Sequence, residues 1–314
     1  MIKILTNDFP DKEWNDRLIG IESATELQTK EYATYVKTEL NWKPIFFKFV
    51  SQDENVLGQL LAFEIPKNVR KKINFLKKTK LRFKFGPIIF SNDKKNEIIN
   101  EFKKYIVQKK YALDCNEHPL DSEILNSFSN KFPIKKWATF LVNLNLEIDI
   151  LWKNTDKNSV KKNIKRSESK GVYVKEMSFN DLDIYRKIRK DEINQKSAPP
   201  LSRLQLRWKT LRPIGFTGFL AFKDEIPLGG ILLSTFNGYL IESGIARTKL
   251  DFKENFYAQD LLKWKIIEWG KKKNYSYFDL AGINPQPNNK KEEGIYRYKK
   301  KWGGELFSYN IIQN

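Results

Sequence analysis

The sequence predicts an α/β protein of two tandem domains, each with a mixed, mainly antiparallel sheet flanked by helices. The chain has 314 residues, which suits two domains of ordinary size. Its hydrophobic share of 40% and aromatic share of 14% are sufficient for a sizeable core. Helical and strand-like patterns alternate along the chain, and antiparallel strands lead into one long helix in the second half.

In the first half, a helix precedes a hairpin, a further strand and a second helix. Asp53-Glu54-Asn55 is predicted to form the turn of the hairpin, and Gly86-Pro87 imposes a break on the third strand. The predicted elements are a helix over 15–40, strands over 44–50, 56–66 and 81–90, a helix over 96–109 and a strand over 137–148.

The second half follows the same order in a longer form, although the two halves share no visible identity. Its strongest local signal is Asn237-Gly238, a dipeptide typical of a two-residue hairpin turn. The predicted elements are helices over 158–171, 178–193, 201–211 and 251–273, and strands over 172–175, 216–222, 230–236, 239–246 and 277–283. We therefore expect a first domain of residues 1–145, with residues 306–314 as a candidate completion, and a second domain of residues 146–305.

Basic residues strongly outnumber acidic ones. The 57 Lys and Arg residues against 38 Asp and Glu give a formal net charge of +19 and a pI of about 9.6. This excess indicates a polyanionic partner such as RNA, a phosphorylated substrate or an anionic membrane surface, while a generally Lys-rich composition explains it equally well. No apolar run approaches the ~18 residues of a membrane span, and no signal-peptide pattern is present. We expect a cytoplasmic protein whose membrane contact, if any, is peripheral and electrostatic.

The chain contains one cysteine, Cys115, and one histidine, His118. A zinc site built from thiolates and imidazoles needs three or four such ligands, so the sequence excludes one, and it excludes a disulfide within the chain. A Ser-His-Asp or Cys-His mechanism would have to use His118, which lies beside Pro119 in a predicted loop. We therefore expect no metal and no covalent catalysis of that type.

Five segments carry a resemblance to a known family. They occur in the following order: Leu27 to Tyr32, Gly86 to Ile88, Val160 to Val172, Tyr277 to Leu280, and Gly294 to Gly304. In this order they resemble the marks of the FemABX family over nearly the whole chain. Members of that family are aminoacyltransferases that add interpeptide-bridge residues to peptidoglycan precursors, using aminoacyl-tRNA.

The resemblance implies a fold of two GNAT-like domains, in agreement with the order of predicted elements. No insertion is long enough for the helical arm of the longer members, so the chain resembles the short form. The implied activity is transfer of an aminoacyl group from tRNA to an amine of a cell-wall precursor. The implied partners are aminoacyl-tRNA and a nucleotide- or lipid-linked precursor, and we expect a monomer.

The start of the long helix argues against an acyl-CoA donor. Acyl-CoA transferases of this fold hold pyrophosphate with a loop of small residues, whose backbone N–H groups approach the phosphates. Here the segment from Arg247 to Phe252 carries Leu250 and Phe252 where small residues would be needed. We therefore expect no bound cofactor, with aminoacyl-tRNA as co-substrate.

The resemblance assigns the chemistry to the last predicted segments. Aminoacyl transfer passes through a tetrahedral oxyanion, which a preorganised cation stabilises. Lys299 is the candidate for that cation, and Tyr298 is the candidate for positioning the tRNA end, although packing in the core would explain Tyr298 and Trp302 equally well. Asp279 either accepts a proton or orients Lys299, or it caps a turn.

Further candidates follow from the same resemblance and from charge. Arg203 and Arg207 are included because the guanidinium group matches phosphate geometry. The candidate substrate-binding residues are Lys37, Gln28, Arg166, Arg203, Arg207 and Tyr239. The candidate tRNA-binding residues, any one of which could simply be solvated, are Lys161, Lys162, Lys165, Lys300 and Lys301.

Two other functions remain open. The first is a GNAT-fold acyltransferase that modifies a cell-envelope sugar or lipid amine with another acyl donor. The second is a non-catalytic RNA-binding protein built on a retired transferase fold, which the charge alone would support.

Overall fold

The computed structural model describes residues 2–65, 79–191 and 198–313 of the chain. The chain divides into two compact units, the first of residues 1–138 and 308–314 and the second of residues 139–307. The expected domains of residues 1–145, with 306–314 as a candidate completion, and of residues 146–305 stay a prediction. The predicted element ends at Pro66 and Ile193 lie outside the described residues.

The first unit contains a mixed sheet with two helices. Its elements are β1 (Lys3–Asn7), α1 (Lys30–Leu40), β2 (Lys43–Val50), β3 (Val56–Ile65), β4 (Lys80–Lys84), β5 (Ile88–Ile89), α2 (Lys95–Gln108), β6 (Ala112–Asn116) and the last part of β13 (Glu305–Gln313). The strand order is β1-β2-β3-β4-β6-β13, and β5 pairs with β3. Among these pairs only β4 with β6 is parallel.

Aromatic side chains form the centre of the first unit's core. Phe102 of α2 is fully buried and meets Phe47, Phe49 and Phe83 edge to face, with ring centroids 5.6, 5.6 and 5.9 Å away. Ile98, the residue one turn earlier on the same face, is buried with it. The amphipathic pattern of α2 therefore identified its core face, because residues three to four apart lie on one side of a helix.

Two first-unit elements are shorter than predicted. The helix expected over 15–40 begins only at Lys30, where the Thr29 side chain accepts a hydrogen bond from the Tyr32 N–H. Gly20, with φ +80°, interrupts the preceding segment. The strand expected over 81–90 is split into β4 and β5 by Phe85, with φ +54°, and by a cis bond between Gly86 and Pro87.

The second unit has a mixed sheet of six strands with helices between them. Its elements are the last part of β7 (Ile134–Asn143), α3 (Ile148–Asn154), α4 (Lys162–Ser169), β8 (Tyr173–Glu176), α5 (Leu182–Asp191), α6 (Leu201–Leu211), β9 (Thr217–Lys223), β10 (Ile226–Phe236), β11 (Tyr239–Arg247), α7 (Lys249–Lys253), α8 (Ala258–Lys272), β12 (Tyr277–Asp279) and α9 (Lys290–Lys300). The strand order is β7-β12-β11-β10-β9-β8. Among these pairs of described strands, β11 with β12 is the only parallel one.

Three local features of the second unit differ from the sequence-based expectation. The strand expected over 137–148 ends at Asn143. The long helix expected over 251–273 is divided into α7 and α8, because Asn255 and Tyr257 both have positive φ angles, +52° and +58°. Residues 290–300, for which no secondary structure was predicted, form α9.

The edge between β11 and β12 opens after three residue pairs. Residues 239–241 pair with residues 277–279, and the pairing then stops although β11 continues to Arg247. On the other side of β11, the register with β10 shifts between Leu232 and Leu233, leaving Ser243 as the extra residue of a bulge. The candidate site lies where β11 and β12 diverge, beside this bulge.

None of the described helices is both long and apolar enough to cross a membrane. The helices of both units are instead short and amphipathic or mixed in character, as expected for elements that cover a sheet.

Gln28 joins three segments of the first unit through its side-chain amide. The residue has no exposed surface. Its Nε2 donates to the Lys84 carbonyl oxygen at 2.7 Å and to the Leu61 carbonyl oxygen at 3.3 Å, while its Oε1 accepts from the Leu61 N–H at 2.7 Å. The Gln28 carbonyl oxygen accepts from the Trp14 indole N–H at 2.7 Å. A buried amide used in this way holds the start of α1 against β3 and β4.

Replacing Gln28 by Ala should lower the free energy of unfolding by about 2–4 kcal/mol, because the change leaves a buried N–H and carbonyl groups unpaired and opens a cavity. Urea denaturation followed by tryptophan fluorescence measures the change. Gln52, which is exposed in a turn, provides the matched control. Equal urea midpoints for the Gln28→Ala and Gln52→Ala proteins would contradict this account.

Candidate active site

Asp279 ends β12 and is almost completely buried, with 2% of its surface exposed. Its carboxylate accepts a hydrogen bond from the Tyr239 hydroxyl at 2.5 Å, one from the Thr139 hydroxyl, and one from the Ala281 N–H at 2.7 Å. The donors come from β11, β7 and the loop that follows β12. The carboxylate therefore fixes the direction in which the chain leaves the sheet.

The loop after Asp279 holds the ammonium group of Lys299. Lys299 Nζ donates to the Ala281 carbonyl oxygen at 2.8 Å and to the Gly282 carbonyl oxygen at 3.3 Å. The Ala281 carbonyl oxygen also lies 2.9 Å from the Thr139 hydroxyl oxygen, whose single proton is given to Asp279. An ammonium has three N–H donors, and the third donor of Lys299 has no partner in the part of the chain that the structure describes. One N–H is thus available to an oxygen of a substrate.

Burial changes the protonation of both ionisable groups at this site. It lowers the pKa of Lys299 to about 8, although the nearby carboxylates of Glu242 and Asp279 act against this shift and the Lys263 ammonium adds to it. It raises the pKa of Asp279 above its ordinary value, while the hydrogen bonds from Thr139 and Tyr239 oppose the rise. Lys299 is therefore a cation at neutral pH that loses its charge under mildly alkaline conditions.

Tyr298, the neighbour of Lys299 on α9, lies between two lysine ammonium groups. Lys263 Nζ is 5.2 Å and Lys301 Nζ 4.3 Å from the centroid of its ring. These distances are within the range of cation–π attraction. The Tyr298 hydroxyl makes no hydrogen bond with any described residue, and burial raises its pKa well above the ordinary value.

A buried ion pair lies next to the Tyr298 ring, and no sequence motif predicted it. Lys263 of α8 has no exposed surface, and its ammonium donates to a carboxylate oxygen of Glu242 on β11. The rings of Phe278, Tyr298 and Trp302 surround the ammonium, with centroids 5.9, 5.2 and 5.6 Å away. The sequence predicts a helix that includes Lys263 but no function for this residue, because one lysine in an apolar pattern does not indicate a functional site.

Protein carboxylates occupy the start of α8. Asp251 is fully buried, accepts the Ala258 N–H at 2.9 Å and pairs with Arg247. Asp260 lies in the first turn, where its two carboxylate oxygens accept from Lys301 Nζ at 2.7 Å and from the Asn163 side chain at 2.6 Å. Carboxylates at a helix N-terminus satisfy its N–H groups and its dipole, and they repel a phosphate there.

The predicted tRNA-binding lysines all belong to the second unit, but their surroundings differ. Lys162 and Lys165 are exposed on α4. Lys161 donates to the Lys153 carbonyl oxygen at 3.1 Å and lies over the Trp152 ring at 5.9 Å. Lys300 and Lys301 line a groove of about 320 Å³. The other residues that line this groove are Asn154, Asp156 and Arg297.

The turn after α9 depends on a glycine. Gly303 has φ +74°, and a Cβ atom at this position would lie 2.6 Å from the Asn154 carbonyl oxygen. The close approach of these two segments brings the end of α9 beside the end of α3, next to the groove that Lys300 and Lys301 line.

The predicted substrate-binding residues lie on several elements of the two units. Arg166 of α4 lies over the Tyr257 ring, 5.9 Å from its centroid. Arg207 of α6 lies over the Phe216 ring at 4.4 Å, and its buried Nε has no hydrogen-bond partner among the described residues. Arg203 is half-buried on the same helix. Lys37 belongs to the first unit, where it is exposed and lies 5.6 Å from the Phe9 ring.

Two of the predicted substrate-binding residues require correction. Gln28 is fully buried and its amide is used by Leu61 and Lys84, so its side chain has no surface to offer a substrate. Tyr239 is 2% exposed and its hydroxyl donates to Asp279. Both residues instead hold other parts of the chain in place.

His118 and Cys115 are buried in the first unit. Burial lowers the pKa of His118 to about 3 and raises that of the Cys115 thiol well above its usual value. The imidazole and the thiol are consequently neutral at ordinary pH, which makes them poor candidates for a nucleophile and its base. Among the described residues, no group of three or more His, Cys, Asp and Glu side chains is placed to hold a metal ion.

The sequence matches no protein-family model and no curated protein. Solved structures do resemble the fold. FemX is similar with a TM-score of 0.75 at 13% identity, over 99% of this chain and 98% of that chain. L-PGS from Bacillus licheniformis gives a TM-score of 0.62 at 15% identity, over 97% and 92% of the two chains.

A tandem GNAT protein from the clavulanic acid biosynthesis pathway is also similar, with a TM-score of 0.55 at 10% identity over 99% of this chain and 97% of that chain. The predicted fold class, two tandem GNAT-like units with mainly antiparallel sheets flanked by helices, is therefore confirmed. The likeness to FemX confirms the resemblance to the FemABX family at the level of the fold.

Replacing Asp279 by Asn should lower the free energy of unfolding by about 2–4 kcal/mol. All three neighbours of the carboxylate donate hydrogen bonds, so the amide NH2 group would oppose a donor in a buried site. Thermal and urea denaturation measure the loss. The exposed Asp149 provides the matched Asp→Asn control, and similar stability of the two variants would refute the role given to Asp279.

Proposed function

We propose that this protein is an aminoacyltransferase that moves an aminoacyl group from aminoacyl-tRNA to an amine of a cell-wall precursor. The observation that carries the proposal is the Lys299 ammonium, which two loop carbonyl oxygens hold with one N–H still available. Its setting in a fold similar to FemX supports the same class of reaction.

The chemistry requires little from the protein beyond charge and position. The acceptor amine forms a bond to the ester carbonyl carbon, and a tetrahedral oxyanion results. When the intermediate breaks down, the ester C–O bond is cleaved, and the proton lost by the amine ends on the released ribose hydroxyl. Lys299 would donate its free N–H to the oxyanion, in a site where the cation is already oriented.

The start of α8 favours a tRNA-linked donor over acyl-CoA. An acyl-CoA pyrophosphate would need the N-terminal N–H groups of α8, of which the Ala258 N–H is already bound by Asp251, and it would meet the carboxylate of Asp260. A tRNA donor needs no such cradle, because its backbone phosphates bind distributed basic side chains. Lys162 and Lys165 on α4, and Lys300 near the end of α9, supply exposed positive charge in the same unit.

Replacing Lys299 by Ala should lower kcat by about 10²–10³-fold, which is the usual effect of removing one oxyanion donor. Transfer from aminoacyl-tRNA to nucleotide-linked amine acceptors, followed by mass spectrometry, measures the change. Lys272→Ala, at the exposed C-terminal end of α8, is the matched control. Normal turnover by the Lys299→Ala protein would overturn the assigned role. Turnover with acyl-CoA instead, or RNA binding without turnover, would replace the proposal by one of the two rival functions.

The rate of transfer should fall as the pH rises through about 8, because Lys299 then loses its proton. Lys299→Arg should retain measurable activity without this alkaline loss, since a guanidinium stays protonated. Unfolding linked to Lys299 does not explain such a loss. A lysine whose pKa is lower in the folded than in the unfolded state releases its proton first in the folded state, so its contribution to stability rises with pH between the two pKa values. An alkaline loss that persists unchanged in Lys299→Arg would contradict this assignment.

Replacing Lys162 and Lys165 together by Gln should weaken the binding of aminoacyl-tRNA and reduce the slope of log affinity against log salt by about 2. Filter binding at several salt concentrations measures both quantities. The matched control replaces Lys272 and Lys273 by Gln. These two exposed lysines lie at the C-terminal end of α8, and the control removes the same amount of charge. Equal slopes for the two double variants would exclude α4 as part of the RNA-binding surface.

A further inference from the structure

The Lys263–Glu242 pair is the least expected polar feature of the second unit. Lys263 is 0% and Glu242 6% exposed. Removing two charges from water is expensive, and well-packed apolar residues of similar volume often stabilise a protein as much or more. A buried pair of this kind therefore calls for a reason other than stability.

The surroundings of the pair connect it to α9. Tyr298 lies in the last turn of α9, and Trp302 follows two residues after the helix ends. The Lys263 ammonium lies 5.2 and 5.6 Å from their ring centroids. It is therefore attracted to one ring on each side of Lys299 in the sequence, and a shift of the end of α9 would move the Tyr298 ring away from it.

The hydrogen bonding around the pair is incomplete. The second carboxylate oxygen of Glu242 and the indole N–H of Trp302 are buried and have no partner among the described residues. Ser243, the extra residue of the β11 bulge, likewise has a buried hydroxyl without a partner there. A half-satisfied polar network costs stability, which again indicates that the charges are retained for what they do to their neighbours.

We propose that Lys263 is a positioning residue for α9: its ammonium, held by Glu242, anchors the rings of Tyr298 and Trp302 and so fixes Lys299 over the loop carbonyl oxygens. This proposal deepens the function proposed above, because Lys299 is the group that would meet the oxyanion. It adds Lys263 and Glu242 as residues that act through Lys299 and Tyr298.

The same pair sets the local charge. The ionised groups that act on Lys299 are Glu242 of β11, Lys263 of α8 and Asp279 of β12. Glu242 favours the ammonium form of Lys299 and Lys263 disfavours it, so the two members act in opposite directions. Loss of either member should therefore displace the titration of Lys299, and the displacements should have opposite signs.

Titration of Lys299 tests the proposal without any assay of transfer. An amine-reactive acylating reagent modifies only the unprotonated amine, and mass spectrometry of the peptide that contains Lys299 follows the rate against pH. We expect Lys263→Met to raise the midpoint and Glu242→Gln to lower it, each by on the order of one pH unit. The double variant Lys263→Met with Glu242→Gln should lie between them.

Controls separate this role from a purely structural one. Lys265→Met removes a lysine of the same helix that pairs at the surface with Glu268, and it should leave the Lys299 midpoint unchanged. Each single variant leaves a buried charge unpaired and should unfold more readily than the double variant, in which both charges are absent. If one single variant does not fold, the sign of the shift in the other decides, because Lys263→Met has to raise the Lys299 midpoint and Glu242→Gln has to lower it.

Identical Lys299 midpoints in folded Lys263→Met and Glu242→Gln proteins would overturn the proposal. Where transfer is measured, kcat should fall in both single variants and recover in part in the double variant, while KM for the donor changes little. Absence of transfer in the wild-type protein would remove the proposed function, whereas the titration midpoints would still decide the role of the pair. The two failures are thus distinguishable.

Discussion

The candidate site depends on the burial of one carboxylate, that of Asp279. A carboxyl group with almost no exposed surface has to be compensated by hydrogen-bond partners, and Asp279 obtains them from Thr139, Tyr239 and the Ala281 N–H. Ala281 has φ +64°, which is uncommon for a residue other than glycine. The hydrogen bond to Asp279 holds it there, and the resulting loop turns its carbonyl oxygens toward Lys299. The position of the cation is thus a consequence of how β12 ends.

Charge is arranged differently inside the second unit and on its surface. The chain as a whole carries +19, yet acidic side chains occupy the key interior positions, where Glu242 pairs with Lys263 and Asp260 pairs with Lys301. Because the charges in the interior of the unit are paired, the unit avoids the large free-energy cost of an isolated buried charge. Unbalanced positive charge then remains at the surface. Salt screens it beyond about a Debye length, roughly 8–10 Å, but within that distance it attracts a polyanion.

The sequence was sufficient for the fold class and for most elements, because apolar periodicity and the Asn237-Gly238 turn are local signals. It was insufficient where distant residues decide the outcome. The break between α7 and α8 occurs where Tyr257 has a positive φ. The structural roles of Gln28 and Tyr239 depend on hydrogen-bond partners far along the chain. Motif resemblance identified Lys299 and Asp279 as candidates. It could not identify Lys263 and Glu242, since a lone lysine and a lone glutamate acquire meaning only when a fold buries them together.

The pH behaviour of the site bears on the acceptor. Aminolysis requires an unprotonated amine on the acceptor and, in the proposed mechanism, a protonated Lys299, whose pKa is about 8. An α-amino group has an ordinary pKa of about 7.7–8.0, whereas a lysine side chain has one of about 10.4. Near pH 8 a large fraction of an α-amine is already reactive while Lys299 is still half protonated. A lysine ε-amine would be almost wholly protonated there unless a neighbouring group lowered its pKa. In the proposed mechanism, the reactive form of a weakly basic acceptor amine and the cationic form of Lys299 would coexist over a wider range of pH than the corresponding forms with a lysine ε-amine.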